Sequence, residues 1–272
     1  MAPLVRDILA FHKIDRALYD KFVAHGTNPQ LARNVVTLIM WLDLIGINIV
    51  GFTRELQNHA EIVRFVSESE VVLNCLRQDS PPLSPKGGAY AEIPTISSLA
   101  RESFDLRFFL FHQDMVVRGL AQLLDGVGTV IFDDGLNALF WAHEAAVRAA
   151  EEEARWKGSR PVLPPLPPEL AKPYYSRGLA PMPDDCRSMF ITFSKGNPLR
   201  RDEIVEYFTE RWGDCIERVM MERTPPGVTP MYGRIVFTGE SFIGLVLNGE
   251  RLVKFMINGR QLWARKYVPR IN

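Results

Sequence analysis

The chain is poor in the residues that staple small domains or hold metals. Its 272 residues include three cysteines, Cys75, Cys186 and Cys215, widely separated and without a Cys-x-x-Cys pair. That spacing argues against both a disulfide framework and a structural zinc site. The five histidines, His12, His25, His59, His112 and His143, show no His-x-x-x-His or His-Glu-x-x-His spacing, so no metal site is legible and no cofactor is expected. No apolar run reaches the ~20 residues of a membrane span, and the stretch from Met1 to Arg16 lacks the apolar core of a secretion signal. The expectation is a soluble intracellular protein with no membrane partner. No basic cluster stands out to choose between nucleus and cytoplasm. A nucleophile elbow, a phosphate loop, paired metal ligands and a carboxylate constellation are all missing, so no enzyme is expected. No repeat of fixed period is evident.

What is present is an ordinary globular composition, 47% hydrophobic and 24% charged, of a length that suggests two domains. The formal charge is zero overall but uneven. Residues 186–272 carry 14 basic and 9 acidic side chains, a net of +5, against 18 basic and 23 acidic in residues 1–185. A basic C-terminal module suits an anionic partner.

Residues 1–157 read as an all-helical domain. Arg16, Leu18, Tyr19, Phe22 and Val23 have helical spacing that ends near Gly26. Asn28-Pro29 is a start signal, an N-cap followed by a proline that fits the first helical turn. The helix that follows, through Leu31, Val35, Leu38, Ile39 and Leu42, is apolar on most sides and should be central. Residues 79–88 read as a loop. Phe104, Phe108, Phe109 and Phe111 form an aromatic stripe expected in the core. Asp133 or Asp134 should cap a long helix that ends at Gly158 in polar, solvated turns. Eight of the 28 positions in residues 158–185 are proline. This density predicts an extended, semi-rigid linker, with a ligand for a proline-recognising partner as the alternative.

From Cys186 the pattern changes to strands. Met189 to Phe193, Cys215 to Glu222 and Tyr232 to Phe237 alternate, and Pro198 opens a helix through Ile204 and Phe208. A short helix from Glu240 to Leu247 follows. Two final strands then flank Asn258-Gly259, the preferred pair for a two-residue hairpin. Alternation puts Phe190 and Thr192 on one face of the first strand, and Tyr232, Arg234 and Val236 on one face of the third. Gly233, Ile235 and Phe237 turn to the core.

This β-α-β-β-α-β order, with an added small strand, resembles an RNA recognition motif over residues 186–272. Phe190 matches the exposed aromatic of that family's first-strand signature. Tyr232 matches an exposed aromatic of its third-strand signature, with Gly233, Ile235 and Phe237 at the small and apolar positions. Arg234 stands where a second aromatic is usual, Pro230-Met231 replaces a basic-glycine pair, and Phe193-Ser194 replaces Asn-Leu. The layout is also similar to plant proteins that pair such a motif with a helical N-terminal region. The stretches from Phe11 to Arg16, Thr192 to Gly196 and Asn258 to Tyr267 carry that similarity. The resemblance implies an α+β protein of two domains: an all-α helical domain at 1–157 and, after the linker, a ferredoxin-like module at 186–272. It implies single-stranded RNA across the sheet. Phe190, Tyr232 and Arg234 would stack or pack on bases, Thr192 shares the face, and Lys195, Arg265 and Lys266 would meet phosphates. The helical domain would recruit a protein partner. The alternative is a sheet face that binds polypeptide or is covered by another element.

Overall fold

A computed structural model describes residues 2–47, 49, 51, 56, 58–77, 92–101, 105–175, 183–194, 197–225 and 227–269. The loop at 79–88, Phe104 and Lys195 lie outside the described residues.

The chain is α+β. Its N-terminal region is helical: α1 (Val5–Phe11), α2 (Lys13–Ala24), α3 (Pro29–Leu44), α4 (His59–Cys75), α5 (Pro94–Ala100), α6 (Leu106–Phe111), α7 (Gln113–Asp125), α8 (Gly128–Ile131) and α9 (Asp134–Lys157). The start signals act as written. Asn28 Oδ1 accepts from Gln30 N at 2.9 Å ahead of α3, and Asp133 Oδ1 accepts from Leu136 N at 2.9 Å ahead of α9. Each satisfies an amide that the first helical turn leaves unpaired. Gly158 ends α9 in the left-handed region, at φ 61°. α3 is the central helix, buried along most of its length and packed against α2, α4 and α7. The phenylalanine stripe divides: Phe109 is fully buried, whereas Phe111 is 85% exposed. The cause is helical phase: Phe109 shares the buried side with Leu106, whereas Phe111 lies one turn beyond exposed Arg107 on the opposite side. After the turn at His112, α7 continues the core with Val116, Val117 and Leu120.

The C-terminal region adds β1 (Ser188–Phe193), α10 (Arg201–Trp212), β2 (Ile216–Met221), β3 (Tyr232–Phe237), α11 (Ser241–Leu247), β4 (Val253–Ile257) and β5 (Arg260–Lys266). The strands form one antiparallel sheet in the order β2-β3-β1-β5-β4. Asn258 and Gly259 take φ of 49° and 74° in the β4–β5 turn, where Ile257 pairs with Arg260. Two successive positive φ values are what a two-residue hairpin needs. Gly233 is required for another reason, since a Cβ there would lie 2.8 Å from the Met220 carbonyl oxygen.

The core face of the sheet meets α10 and α11. The Phe208 ring lies 6.0 Å from Phe237 and 5.4 Å from Phe255, and Phe242 stacks on Phe237 at 6.2 Å. The outer sides of these two helices are covered in turn by the helical region. α7 packs on both, and α3 packs on α11. The apolar core runs without a break from α3 through α7 and α11 to the strands. Polar ties fix the seam. Asn34, fully buried on α3, donates through Nδ2 to Asn248 Oδ1 at 2.8 Å and to the Gly244 carbonyl at 3.1 Å. Ser241 Oγ donates to Asp125 Oδ2 at 2.7 Å, which fixes the start of α11 on the end of α7.

The described part of the proline-rich segment has no regular structure from 160 to 167, turns at 168–171, and is not a free spacer. Val5 N donates to the Lys172 carbonyl at 2.9 Å, Arg6 N to Leu170 at 3.1 Å and Tyr174 N to Pro3 at 2.7 Å. Leu170 is buried with Val5, Leu9, Val130 and Phe140. A single turn closes on the Pro167 carbonyl through Leu170 N and Ala171 N, and the first amides of α1, which have no partner within their own helix, donate to the carbonyls of Leu170 and Lys172.

Two outcomes follow from this packing. Urea unfolding of the full chain is expected to be one transition by both fluorescence and circular dichroism, and Asn34→Ala is expected to lower stability by about 1–3 kcal/mol because it strips a buried acceptor of its donor. Two separate wild-type transitions would show that the seam does not couple the regions. A second outcome concerns Glu203 at the start of α10. It accepts from Arg200 N at 2.9 Å, from Asn258 Nδ2 at 3.1 Å and from Arg260. The backbone amide first, then these side chains, hold its carboxyl down to about 2 from 4.5. A depressed folded-state value contributes stability above pH 4.5 that is lost as pH falls toward 2. Acid unfolding of Glu203→Gln is therefore expected to show a smaller loss than wild type across that window.

Candidate nucleic-acid interface

The face of the sheet opposite α10 and α11 is where strand alternation places the expected site. Cross-strand pairing arranges it in two rows. One holds Met220 on β2, Arg234 on β3, Phe190 on β1 and Arg265 on β5. The other holds Tyr232 on β3, Thr192 on β1, Trp263 on β5 and Lys254 on β4. Tyr232 is 44% exposed and Trp263 37%, and Met220 and Met256 are exposed beside them.

Phe190 is half-buried. Its ring lies 5.7 Å from that of Tyr232 at an interplanar angle of 28°, and the Arg265 guanidinium lies over it at 4.8 Å. β3 and β5 flank β1 on opposite sides, so Phe190 is wedged between a ring and a cation. Thr192, cross-strand from Tyr232 and Trp263, forms the floor between those two rings.

Arg234 is held inside the protein. Its side chain is only 18% exposed. Nε donates to Ser188 Oγ at 2.9 Å, Nη2 to Asp185 Oδ1 at 2.6 Å, and the guanidinium plane sits 4.0 Å from the Tyr267 ring centroid. A base stacking on Arg234 would have to displace this carboxylate and this ring. Lys266 is not on this face at all. It follows Leu262 and Ala264 in the alternation, on the helix side, and its Nζ lies 3.0 Å from Glu240 Oε1. Val236 is on the expected face but fully buried, next to Ser188 and the turn at residues 184–187. The sheet thus brings Phe190, Thr192, Tyr232 and Arg265 together, turns Arg234 to an internal role and sends Lys266 elsewhere.

The charges on this face are distributed unequally. At the end near β2 and β3, Arg187 pairs with Asp184 at 2.6 Å and with Glu217, while Arg218 pairs with Asp184 and, at 2.7 Å, with Glu217. The hydrogen bond from Arg187 holds the Glu217 carboxyl below its ordinary range. With Arg234 on Asp185, three arginines there are matched by three carboxylates. Lys254 and Arg265 on the β4–β5 side have no carboxylate within ion-pair distance among the described residues, and Lys254 Nζ lies 5.7 Å from the Trp263 ring.

Trp263, Lys254 and Met220 were missed from sequence. The signal was available for Trp263: it falls between Leu262 and Ala264, both fully buried, as Tyr232 precedes buried Gly233. Among the described residues no group of three or more His, Cys, Asp or Glu is placed to hold a metal, and no helix is long and apolar enough to cross a membrane. Comparisons of the chain with protein-family models, with curated proteins and with solved structures each find no match.

The contrast between Arg234 and Tyr232 is measurable. Arg234→Ala is expected to cost about 1–3 kcal/mol of stability, since it leaves Ser188 and Tyr267 without their partner and a half-exposed Asp185 unpaired. Tyr232→Ala should cost far less. Equal thermal shifts for the two variants would refute the internal role of Arg234.

Proposed function

We propose that this is a non-catalytic RNA-binding protein whose C-terminal region is a ferredoxin-like RNA recognition motif acting through its open sheet face. The observation that carries the proposal is which face is open. The helical region covers the helix side of the sheet, through α7 and α3 on α10 and α11, and the opposite face keeps Tyr232 and Trp263 exposed around Thr192. The β1-α10-β2-β3-α11 order, with β1 central between β3 and β5, supports the same reading.

Single-stranded RNA is favoured because unstacked bases present π-faces that exposed rings can hold, each stack contributing about 1–3 kcal/mol. Arg265 is available for phosphate. Arg234, bound to Asp185, acts as a strut that fixes the end of β3. In this reading the helical region keeps the sheet rigid from behind, and its exposed Phe11, Phe111 and Trp156 are the side chains that would meet a protein partner. A second reading, polypeptide on the same sheet face, is favoured by the exposed thioethers of Met220 and Met256, which adapt to varied apolar side chains.

The test is fluorescence anisotropy of the full chain with a labelled mixed-sequence RNA octamer at 50 and 200 mM salt. Affinity is expected to fall as salt rises, and Tyr232→Ala to weaken binding at least fivefold, the low end of one lost stack. No binding at the lower salt, or an affinity unchanged in both Tyr232→Ala and Trp263→Ala, would sink the RNA reading.

A further inference from the structure

We infer that nucleic acid on this face is centred on β5 rather than on β3, with Trp263 as the principal stacking ring and Lys254 and Arg265 as the phosphate contacts. The inference rests on the RNA-binding reading and goes beyond it by assigning a track and its residues. Two independent features of the face point to the β4–β5 side.

The first is charge. A phosphate approaching β2 or β3 meets Arg218 and Arg234, already matched by Asp184, Glu217 and Asp185, while Arg187 is buried against two of the same carboxylates. To bind there it must displace a carboxylate from an arginine, exchanging one anion for another with little net gain. On the other side Lys254 and Arg265 carry charge that no carboxylate among the described residues neutralises. Counterion release, the main source of affinity for a polyanion, is available only where cations are not already paired within the protein.

The second is the state of the rings. Phe190 has Tyr232 on one side and Arg265 on the other, and Tyr232 has Phe190 at 5.7 Å. A base can therefore reach Tyr232 on its outer side alone, and Phe190 only at its edge. Among the described residues Trp263 makes no ring–ring contact. It is bordered across the strands by Thr192, which is small, and by Lys254, whose flexible chain can swing from the ring to a phosphate. It also offers the largest π-surface on the face. Along β5 itself Gln261, Trp263 and Arg265 point the same way, at i, i+2 and i+4, which places amide, indole and guanidinium at intervals of about 7 Å. Gln261 both donates and accepts hydrogen bonds and is the group on this line suited to read a base edge.

The experiment uses the full chain and the same labelled RNA octamer, with salt titrations for each variant and thermal unfolding to confirm that each is folded. Trp263→Ala is expected to weaken binding at least tenfold and by more than Tyr232→Ala, with Trp263→Phe recovering most of the loss. Lys254→Ala and Arg265→Ala are each expected to reduce the slope of log affinity against log salt by about 0.7, the value for one phosphate contact on a single strand. Met220→Ala, on β2, should leave affinity within twofold. If Tyr232→Ala weakens binding while Trp263→Ala and Lys254→Ala do not, the RNA reading stands and the β5 track is wrong. If the wild-type chain binds no RNA at 50 mM salt, both fall together.

Discussion

The arrangement depends on one burial requirement. A sheet with two helices on one side leaves the outer surfaces of those helices to be satisfied, and in this chain they are strongly apolar. Six of the seven residues of α11 are buried, far more than packing on the sheet alone requires. The helical region meets that demand through α7 and α3, and a single apolar core passes from one region to the other. The polar ties at buried Asn34 and half-buried Asp125 set the register of the contact, because an unpaired amide or carboxylate in that seam would cost more than the hydrogen bond gains. Which face of the sheet remains open is thus decided behind it.

On the open face, electrostatics makes the second selection. Three arginines near β2 and β3 are consumed by carboxylates of the 184–187 turn and of β2, which stiffens that end and removes its attraction for anions. The overall charge of the C-terminal region therefore overstates what a polyanion would meet. Among the described residues of the strands on this face, Lys254 and Arg265 remain without a carboxylate, beside the least encumbered ring.

Local signals in the sequence were good guides to local structure. Asn28-Pro29, Asp133 and Asn258-Gly259 each form the cap or turn their chemistry implies, and the strand alternation places Phe190, Thr192 and Tyr232 on one face as read. What was not legible depended on distant residues. Nothing around Arg234 reveals that Asp185, nearly fifty positions earlier, holds it. Phe111 faces solvent because it stands on the side of α6 opposite Phe109, and which of the two sides packs is decided by the neighbouring helices. The five-stranded antiparallel sheet follows from the same alternation and order of elements, and the proposed function rests on the openness of a face that sequence alone left undecided.

The docking of the proline-rich strap on α1 has a consequence for how the chain assembles. Leu4 bridges Pro173, and Val5 and Arg6 bond to backbone just beyond Pro168, so this joint links positions separated by well over half the chain. Contacts so distant in sequence gain nothing until the intervening helices are in place, since the entropy of closing the loop must first be overcome. The clasp is thus expected to close late in folding. The helical region can order itself early around α3, but its ends are joined, and the chain delivered toward β1, only when the rest of that region has already formed.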